Sequence, residues 1–244
     1  SITVDTTGPT VSSISISGAT GIQNSTLNAG DEVSISVNIS EAVQVTGTPT
    51  LALNIGGQIV NASYVSGSNS STLVFKYTIV DGQNDLNGIS INSGSLSLNG
   101  GTVIDLAANA AVLTNSAVSD NSSYTVDTVA PTKTLSGLAL SADTGSSGSD
   151  FITNTAAQTI TATLSSALGT DKLYGSVDNG ATWSDISSKV TGTAVSWNGV
   201  TLSGSSTILM EVRDAAGNAG TTKSQAFVLD NTAPTLSSST PSDN

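Results

Sequence analysis

The chain has 244 residues, of which 42 are Ser and 34 are Thr, and its 18 acidic and 6 basic residues give a net charge of −12. It contains no Cys and no His, which excludes disulfides, thiol catalysis, structural zinc and an imidazole general base. Six cations cannot cover a phosphate backbone, and no apolar run is long enough for a membrane helix, so we expect neither nucleic acid binding nor membrane insertion.

The predicted elements are strands, because apolar residues alternate with polar ones along the chain. The alternation is clearest at residues 33–39 and 73–79 in the first half, and at 160–164 and 208–212 in the second. Residues 177–180, Val-Asp-Asn-Gly, predict a hairpin with a type I′ turn. Amphipathic helices of ten or more residues are not visible. The sequence therefore predicts an all-β chain of antiparallel sandwiches with about seven to nine strands each.

A heptapeptide repeats along the chain and divides it into modules. Val-Asp-Thr-Thr-Gly-Pro-Thr at 4–10 returns as Val-Asp-Thr-Val-Ala-Pro-Thr at 126–132 and as Leu-Asp-Asn-Thr-Ala-Pro-Thr at 229–235. The proline cannot donate to a sheet and favours an extended linker. We therefore predict module 1 over 5–127 and module 2 over 128–230, joined end to end by this short linker. Residues 1–4 would end a preceding module and 231–244 would begin a following one.

The aspartates lie at strand ends and in turns rather than along strands. Hard oxygen ligands in loops are what Ca²⁺ requires, and the absence of soft ligands favours Ca²⁺ or Mg²⁺ over transition metals. Asp and Asn are also good turn residues, so turn formation alone is the competing explanation for each one. The candidate turn aspartates are Asp31, Asp81, Asp85, Asp105, Asp127, Asp143, Asp150, Asp171, Asp214 and Asp230.

Immunoglobulin-like sandwich topology would gather these residues where modules meet. The incoming linker lies beside the loop between the last two strands, and the outgoing linker lies beside the first loop. We therefore expect three groups of calcium ligands. They are Asp5, Glu41, Asp105 and Asn109; Asp31, Asp81, Asp85 and Asp127 with Asp214 and Asn218; and Asp143 and Asp150 with Asp230.

Other functions have weaker support. A glycosidase needs two acids in a cleft lined by aromatics, and nine aromatic residues in 244 make such a cleft improbable, so no enzyme is expected. Trp183 and Trp197 could form a carbohydrate platform, but packing in the core or in a hairpin explains them more simply.

The motifs resemble the bacterial Ig-like repeats of giant surface adhesins, of the biofilm-associated and repeats-in-toxin types. The resemblance rests on the three Pro-Thr junctions, Asp-Ala-Ala-Gly-Asn at 214–218, Ser-Ala-Asp-Thr-Gly at 141–145 with Ser-Asp-Phe-Ile-Thr at 149–153, and 81–90. It implies tandem extender modules, stiffened by Ca²⁺ at their junctions, which carry a distal binding domain. Two positions depart from the pattern: Ala108 replaces a loop Gly, and Gly8 replaces the Ala before Pro9, which would loosen that junction.

Together these features predict an extracellular, monomeric segment of a bacterial cell-surface adhesin. Its partners would be neighbouring repeats of the same chain, and it would serve adhesion or biofilm formation as a calcium-stiffened spacer. The alternative is a module that itself binds a carbohydrate or a host-surface ligand. The ligand of the full-length protein does not follow from the sequence.

Overall fold

A computed structural model describes residues 4–236 of the chain. The predicted ends of neighbouring modules at 1–3 and 237–244 lie outside these residues. The chain divides into two compact units, Ser1–Ala130 with Ala215–Asn218, and Pro131–Asp214 with Ala219–Asn244. Across the described part of the chain, no helix is long and apolar enough to cross a membrane.

Among its described residues, the first unit contains ten strands in two sheets. The larger sheet has the order β1-β3-β6-β5-β4-β8, and β9 pairs with the far end of β3; the smaller sheet has the order β2-β10-β7. The strands are β1 (Val11–Thr20), β2 (Thr26–Leu27), β3 (Glu32–Thr46), β4 (Thr50–Ile55), β5 (Gln58–Ser66), β6 (Ser70–Thr78), β7 (Asn84–Asp85), β8 (Leu96–Ser97), β9 (Thr102–Ile104) and β10 (Thr125–Asp127).

The core of the first unit forms because the alternating strands each present one apolar face to it. Val33, Ile35 and Val37 of β3 are fully buried, as is Phe75 of β6, and Tyr64 of β5 meets the Phe75 ring edge-on at 5.8 Å. Leu27 and Val126 of the smaller sheet belong to the same cluster. Both sheets thus share one core, as the alternation of apolar residues predicts.

Up to residue 236, the second unit contains nine strands in two further sheets, with the orders β11-β13-β17-β16 and β12-β19-β18-β14-β15. A 3₁₀-helix at Ser187–Lys189 is the one helical element among the described residues. The strands are β11 (Leu135–Leu140), β12 (Ile152–Thr153), β13 (Ala157–Leu164), β14 (Lys172–Ser176), β15 (Ser184–Asp185), β16 (Val190–Thr191), β17 (Ala194–Thr201), β18 (Ser206–Arg213) and β19 (Lys223–Leu229).

The all-β fold class is confirmed, with two refinements. Two short pairings are parallel rather than antiparallel, β2 with β10 and β12 with β19. The predicted hairpin joins β14 to β15, but its connection spans residues 177–183 rather than a two-residue turn. Asn179 and Gly180 still adopt positive φ angles of 58° and 86°. The longer loop forms because the carboxylate of Asp178 accepts hydrogen bonds from both the backbone N–H and the hydroxyl of Thr182.

The alternation at residues 208–212 predicts that Glu211 lies on the wet face of its strand, but the structure buries this residue. It is 6% exposed, because Arg213 pairs with its carboxylate at 2.7 Å and the hydroxyl of Thr222 donates to it at 2.8 Å. A buried carboxylate is tolerated only when such partners satisfy it.

Candidate metal centre

The segment that enters the first unit is held by hydrogen bonds on two sides. Thr10 N–H donates to the hydroxyl of Ser40 at 3.0 Å, and Ser40 N–H donates to the Thr10 carbonyl at 2.8 Å. On the other side, Val112 N–H donates to the carbonyl of the buried Pro9 at 2.8 Å. These contacts place Asp5 between the part of β3 that carries Glu41 and the loop that follows β9.

Gly8 occupies a position where a side chain would clash. A Cβ added there would lie 2.2 Å from the carbonyl oxygen of Ala110, so the segment approaches this loop closely only because residue 8 is glycine. At Gly8, where the chain departs from the adhesin pattern, the backbone therefore lies in tight contact with the loop that contains Ala110.

The loop after β9, residues 105–109, is organised around the carboxylate of Asp105. Its Oδ1 accepts the backbone N–H groups of Ala107 and Asn109, both at 2.8 Å, and its Oδ2 accepts the side-chain amide of Asn109 at 2.8 Å. The chain can close this tight loop because Ala108 adopts a φ of 67°. Ala108 therefore occupies the left-handed region that favours glycine.

Three carboxylates meet at this point. Asp5, Glu41 and Asp105 each offer an oxygen, and these oxygens lie within 4.8 Å of one another. Asp105 is buried, Glu41 is half-buried and Asp5 is exposed, and a groove of about 490 Å³ opens beside them between Leu106 and Ala42. The Asn109 side chain links the group by donating to both the Asp105 carboxylate and the Asp5 carbonyl, the latter at 3.2 Å. The structure thus brings together the first predicted group of ligands.

The electrostatics of Asp105 keep it anionic. Burial by itself would raise the pKa of this carboxyl, but hydrogen bonds from the Asn109 side chain and from the backbone of Asn109, Ala107 and Ala108 hold the pKa below the ordinary 3.8. Hydrogen bonds to the charged form favour it. Asp105 is therefore ready to act as a cation ligand at neutral pH.

Three of the other four predicted aspartates of the first unit accept hydrogen bonds within the protein. Asp31 accepts the Asn28 N–H at 2.8 Å. Asp85 is 4% exposed and accepts three backbone N–H groups, including that of Gly56 at 2.7 Å. Asp127 accepts the Val129 N–H at 2.9 Å. Asp81 is exposed.

Residues 214–218 are divided between the units. Asp214 belongs to the second unit and Asn218 to the first, where the Asn218 side-chain amide donates to the Asp127 carbonyl at 2.8 Å. In the second unit Asp171 forms an ion pair with Lys133 at 2.5 Å. Among residues 4–236, these aspartates do not form a second group of three acidic oxygens within 4.8 Å.

Asp143 in the second unit has one oxygen without a partner. Its Oδ2 accepts the Phe151 N–H at 2.9 Å, whereas its Oδ1 is buried and accepts no hydrogen bond among the described residues. Phe151 has a φ of 61°, an outlier for a bulky residue. Nearby, Asp150 accepts the Ile152 N–H at 3.1 Å, and the Asp230 N–H donates to the Thr153 carbonyl at 2.9 Å. The first loop and the outgoing chain are therefore in contact at Thr153, but within residues 4–236 the acidic oxygens of Asp143, Asp150 and Asp230 do not form a group within 4.8 Å of one another.

Both tryptophans are half-buried and packed. Trp197 lies over Gly175, where an added Cβ would stand 2.6 Å from the ring. The guanidinium of Arg213 lies 5.2 Å from the Trp183 ring centroid and 4.6 Å from that of Tyr174. The alternation of apolar residues in β18 does not predict this cluster, because Tyr174 lies in β14 and Trp183 in the loop before β15, both far from Arg213 in sequence.

Comparison with known proteins finds a family model that matches part of the chain and a solved structure of low sequence identity. A solved structure of fibronectin(III)-like modules of CbhA from Clostridium thermocellum is 14% identical, with a TM-score of 0.33, and the match covers 88% of this chain and 93% of that one. The comparison with curated proteins finds no match. Residues 128–231 match the family model described as bacterial Ig-like domain. This part of the chain is therefore similar to a non-catalytic domain type that is typical of extracellular and surface proteins.

Proposed function

We propose that the chain is a calcium-stiffened extender segment of a bacterial cell-surface adhesin, which holds a distal binding domain away from the cell. The observation that carries the proposal is the group formed by Asp5, Glu41 and Asp105, whose oxygens lie within 4.8 Å of one another. These residues come from three segments that are distant in sequence, so one cation bound to all three would join them.

Electrostatics supports a cation at this group. Three carboxylates at such distances repel one another, and no ion pair joins Asp5, Glu41 or Asp105 to a basic residue among the described residues. A bound cation would neutralise this repulsion. Hard oxygen ligands and an open groove suit Ca²⁺, which takes 6–8 oxygens and accepts carbonyls and water.

The buried, unpartnered Oδ1 of Asp143 supports a second calcium position in the loop 143–150. A buried carboxylate oxygen without a donor is costly, and a cation would supply its missing partner. Asp150 and Asp230 are the other proposed ligands there.

Stiffening would follow from where the first group lies. Asp5 belongs to the entry segment that precedes β1, whereas Glu41 lies in β3 and Asp105 follows β9. Calcium would therefore fix the entry segment to the module at the ~10⁻⁴–10⁻³ M affinity typical of extracellular modules. The partners in this role are neighbouring repeats of the same chain.

The alternative, direct binding of a carbohydrate, has less support. A sugar platform needs an accessible aromatic face, but the Trp183 ring is stacked under Arg213 and the Trp197 ring packs on Gly175.

Calorimetric titration and thermal unfolding of the purified chain test the calcium site. Calcium at 100 times Kd should stabilise the folded chain by about 2.7 kcal/mol relative to chelator. The double variant Asp5→Asn, Glu41→Gln should lose one calcium-binding event while it unfolds normally in chelator. Asp120→Asn is the matched control, because Asp120 is exposed and lies outside the group.

Asp143→Asn tests the second position in the same titration and should remove a different binding event. If calcium neither binds nor changes the unfolding temperature of the unsubstituted chain, the calcium proposal is wrong. If calcium binds with the same stoichiometry in the double variant, the ligands are misassigned.

A further inference from the structure

The sequence contains four Asn-Gly pairs, at Asn87, Asn99, Asn179 and Asn198. We propose that Asn99 is a site of spontaneous deamidation and that the fold suppresses the same reaction at the other three. In this reaction the backbone nitrogen of the glycine attacks Cγ of the asparagine. The new N–Cγ bond closes a succinimide ring, the Cγ–Nδ2 bond breaks and ammonia leaves. Water then opens the ring to give aspartate or isoaspartate.

The reaction needs a glycine N–H that can lose its proton and an asparagine side chain that can rotate. At two pairs the fold engages the attacking nitrogen. The N–H of the buried Gly88 donates to Asp85 Oδ1 at 2.9 Å, and the N–H of Gly180 donates to the hydroxyl of Ser176 at 2.9 Å.

At the third pair the fold restrains the asparagine side chain. Asn198 and Gly199 lie in β17 at an irregularity in its pairing with β13, between Trp197, which pairs with Ile160, and Val200, which pairs with Gln158. The Asn198 Oδ1 also accepts the Lys189 ammonium at 2.7 Å, which restrains its side chain.

At Asn99 the corresponding restraints are weaker. It is exposed in the turn between β8 and β9, and its two hydrogen bonds are long: its N–H to the Ser97 hydroxyl at 3.3 Å and its side-chain amide to the Thr48 carbonyl at 3.4 Å. Within residues 4–236, the exposed Gly100 N–H donates no hydrogen bond. The side of Gly100 where a Cβ would stand is open, with no atom within 4 Å.

The modification changes both charge and backbone at this turn. Either product adds a carboxylate to a chain of net charge −12. Isoaspartate also lengthens the main chain by one carbon, within the turn that the Gly101 N–H closes onto the Leu98 carbonyl at 2.8 Å.

Peptide mass mapping of the folded chain, held in mildly alkaline buffer, measures the four sites together. Each hydrogen bond that must open lowers the reactive population about fivefold, so the Asn99 peptide should convert at least about fivefold faster than the other three. Asn99→Gln should remove the fast release of ammonia, whereas Asn179→Gln should leave it unchanged. Equal rates at the four sites of the folded chain would overturn the proposal.

The same measurement in urea separates the fold from the local sequence. All four peptides should convert at similar rates once the chain is unfolded. An excess at Asn99 that persists in urea would also overturn the proposal, because it would come from neighbouring residues and not from the turn.

Discussion

The side chain of Asn109 donates to the Asp105 carboxylate at 2.8 Å, while the backbone N–H of Asn109 donates to the other oxygen of the same group, also at 2.8 Å. Asp105 thus both closes its own loop and presents a carboxylate towards Asp5 and Glu41. The loop fold and the proposed ligand role depend on one side chain, so variants that test the loop must leave Asp105 in place.

Ala108→Gly should stabilise the first unit. Ala108 has a φ of 67°, and the left-handed region costs a non-glycine residue about 1–2 kcal/mol. Part of this gain is lost to the greater freedom of glycine in the unfolded chain, so we expect a net stabilisation of about 0.5–1 kcal/mol. Urea unfolding measures it. Ala107→Gly is the control and should destabilise by about 0.4–1 kcal/mol, because Ala107 has no positive φ; a loss at both positions would contradict the strain argument.

Gly8→Ala should destabilise the first unit. The new Cβ would lie 2.2 Å from the Ala110 carbonyl oxygen, so the entry segment must shift, at a cost of about 1–3 kcal/mol. Gly18→Ala is a matched control in the same unit, since an added Cβ there has no neighbour within 4 Å. Thermal unfolding in chelator compares the two. Equal unfolding temperatures would show that the segment moves away without cost.

Gly175→Ala should destabilise the second unit by about 1–3 kcal/mol. The added methyl group would lie 2.6 Å from the Trp197 ring and 3.0 Å from Ile186, and it should also change the tryptophan fluorescence. Gly148→Ala, where an added Cβ meets nothing within 4 Å, should change neither signal. Unaltered fluorescence and stability in Gly175→Ala would contradict the packing of Trp197 on this glycine.

The second unit should lose stability in acid between about pH 4 and pH 2. Hydrogen bonds from Thr182, first from its hydroxyl, lower the pKa of Asp178 from 3.8 to about 2, and hydrogen bonds from Ser187 and Lys172 lower the pKa of Asp185 to about 2. Since the folded-state pKa values lie below the unfolded ones, the stabilisation is complete above pH 4 and is lost as the pH falls through 2.

Urea unfolding along an acid series measures this loss. The double variant Asp178→Asn, Asp185→Asn should be less stable at neutral pH and show a weaker dependence on pH in this range. A variant with the slope of the unsubstituted chain would show that other carboxylates cause the loss.

The strands and the faces that they bury can be predicted from the amino-acid sequence. The alternation of apolar and polar residues predicts that Val33, Ile35 and Val37 lie in the core, because a strand presents every second side chain to the same side. All three are buried. The repeated junctions and the loop motif placed Asp5, Glu41, Asp105 and Asn109 in one predicted group, and the structure brings them together.

The contacts of most of the other turn aspartates depend on the three-dimensional arrangement of the strands. Asp85 is enclosed by backbone N–H groups and Asp171 pairs with Lys133, whereas Asp143 keeps a buried oxygen without a donor. Local sequence cannot distinguish these cases, because the donors come from segments whose positions depend on how the strands pair. For the same reason the sequence does not predict the burial of Glu211, since its partner Thr222 follows a loop that returns beside β18.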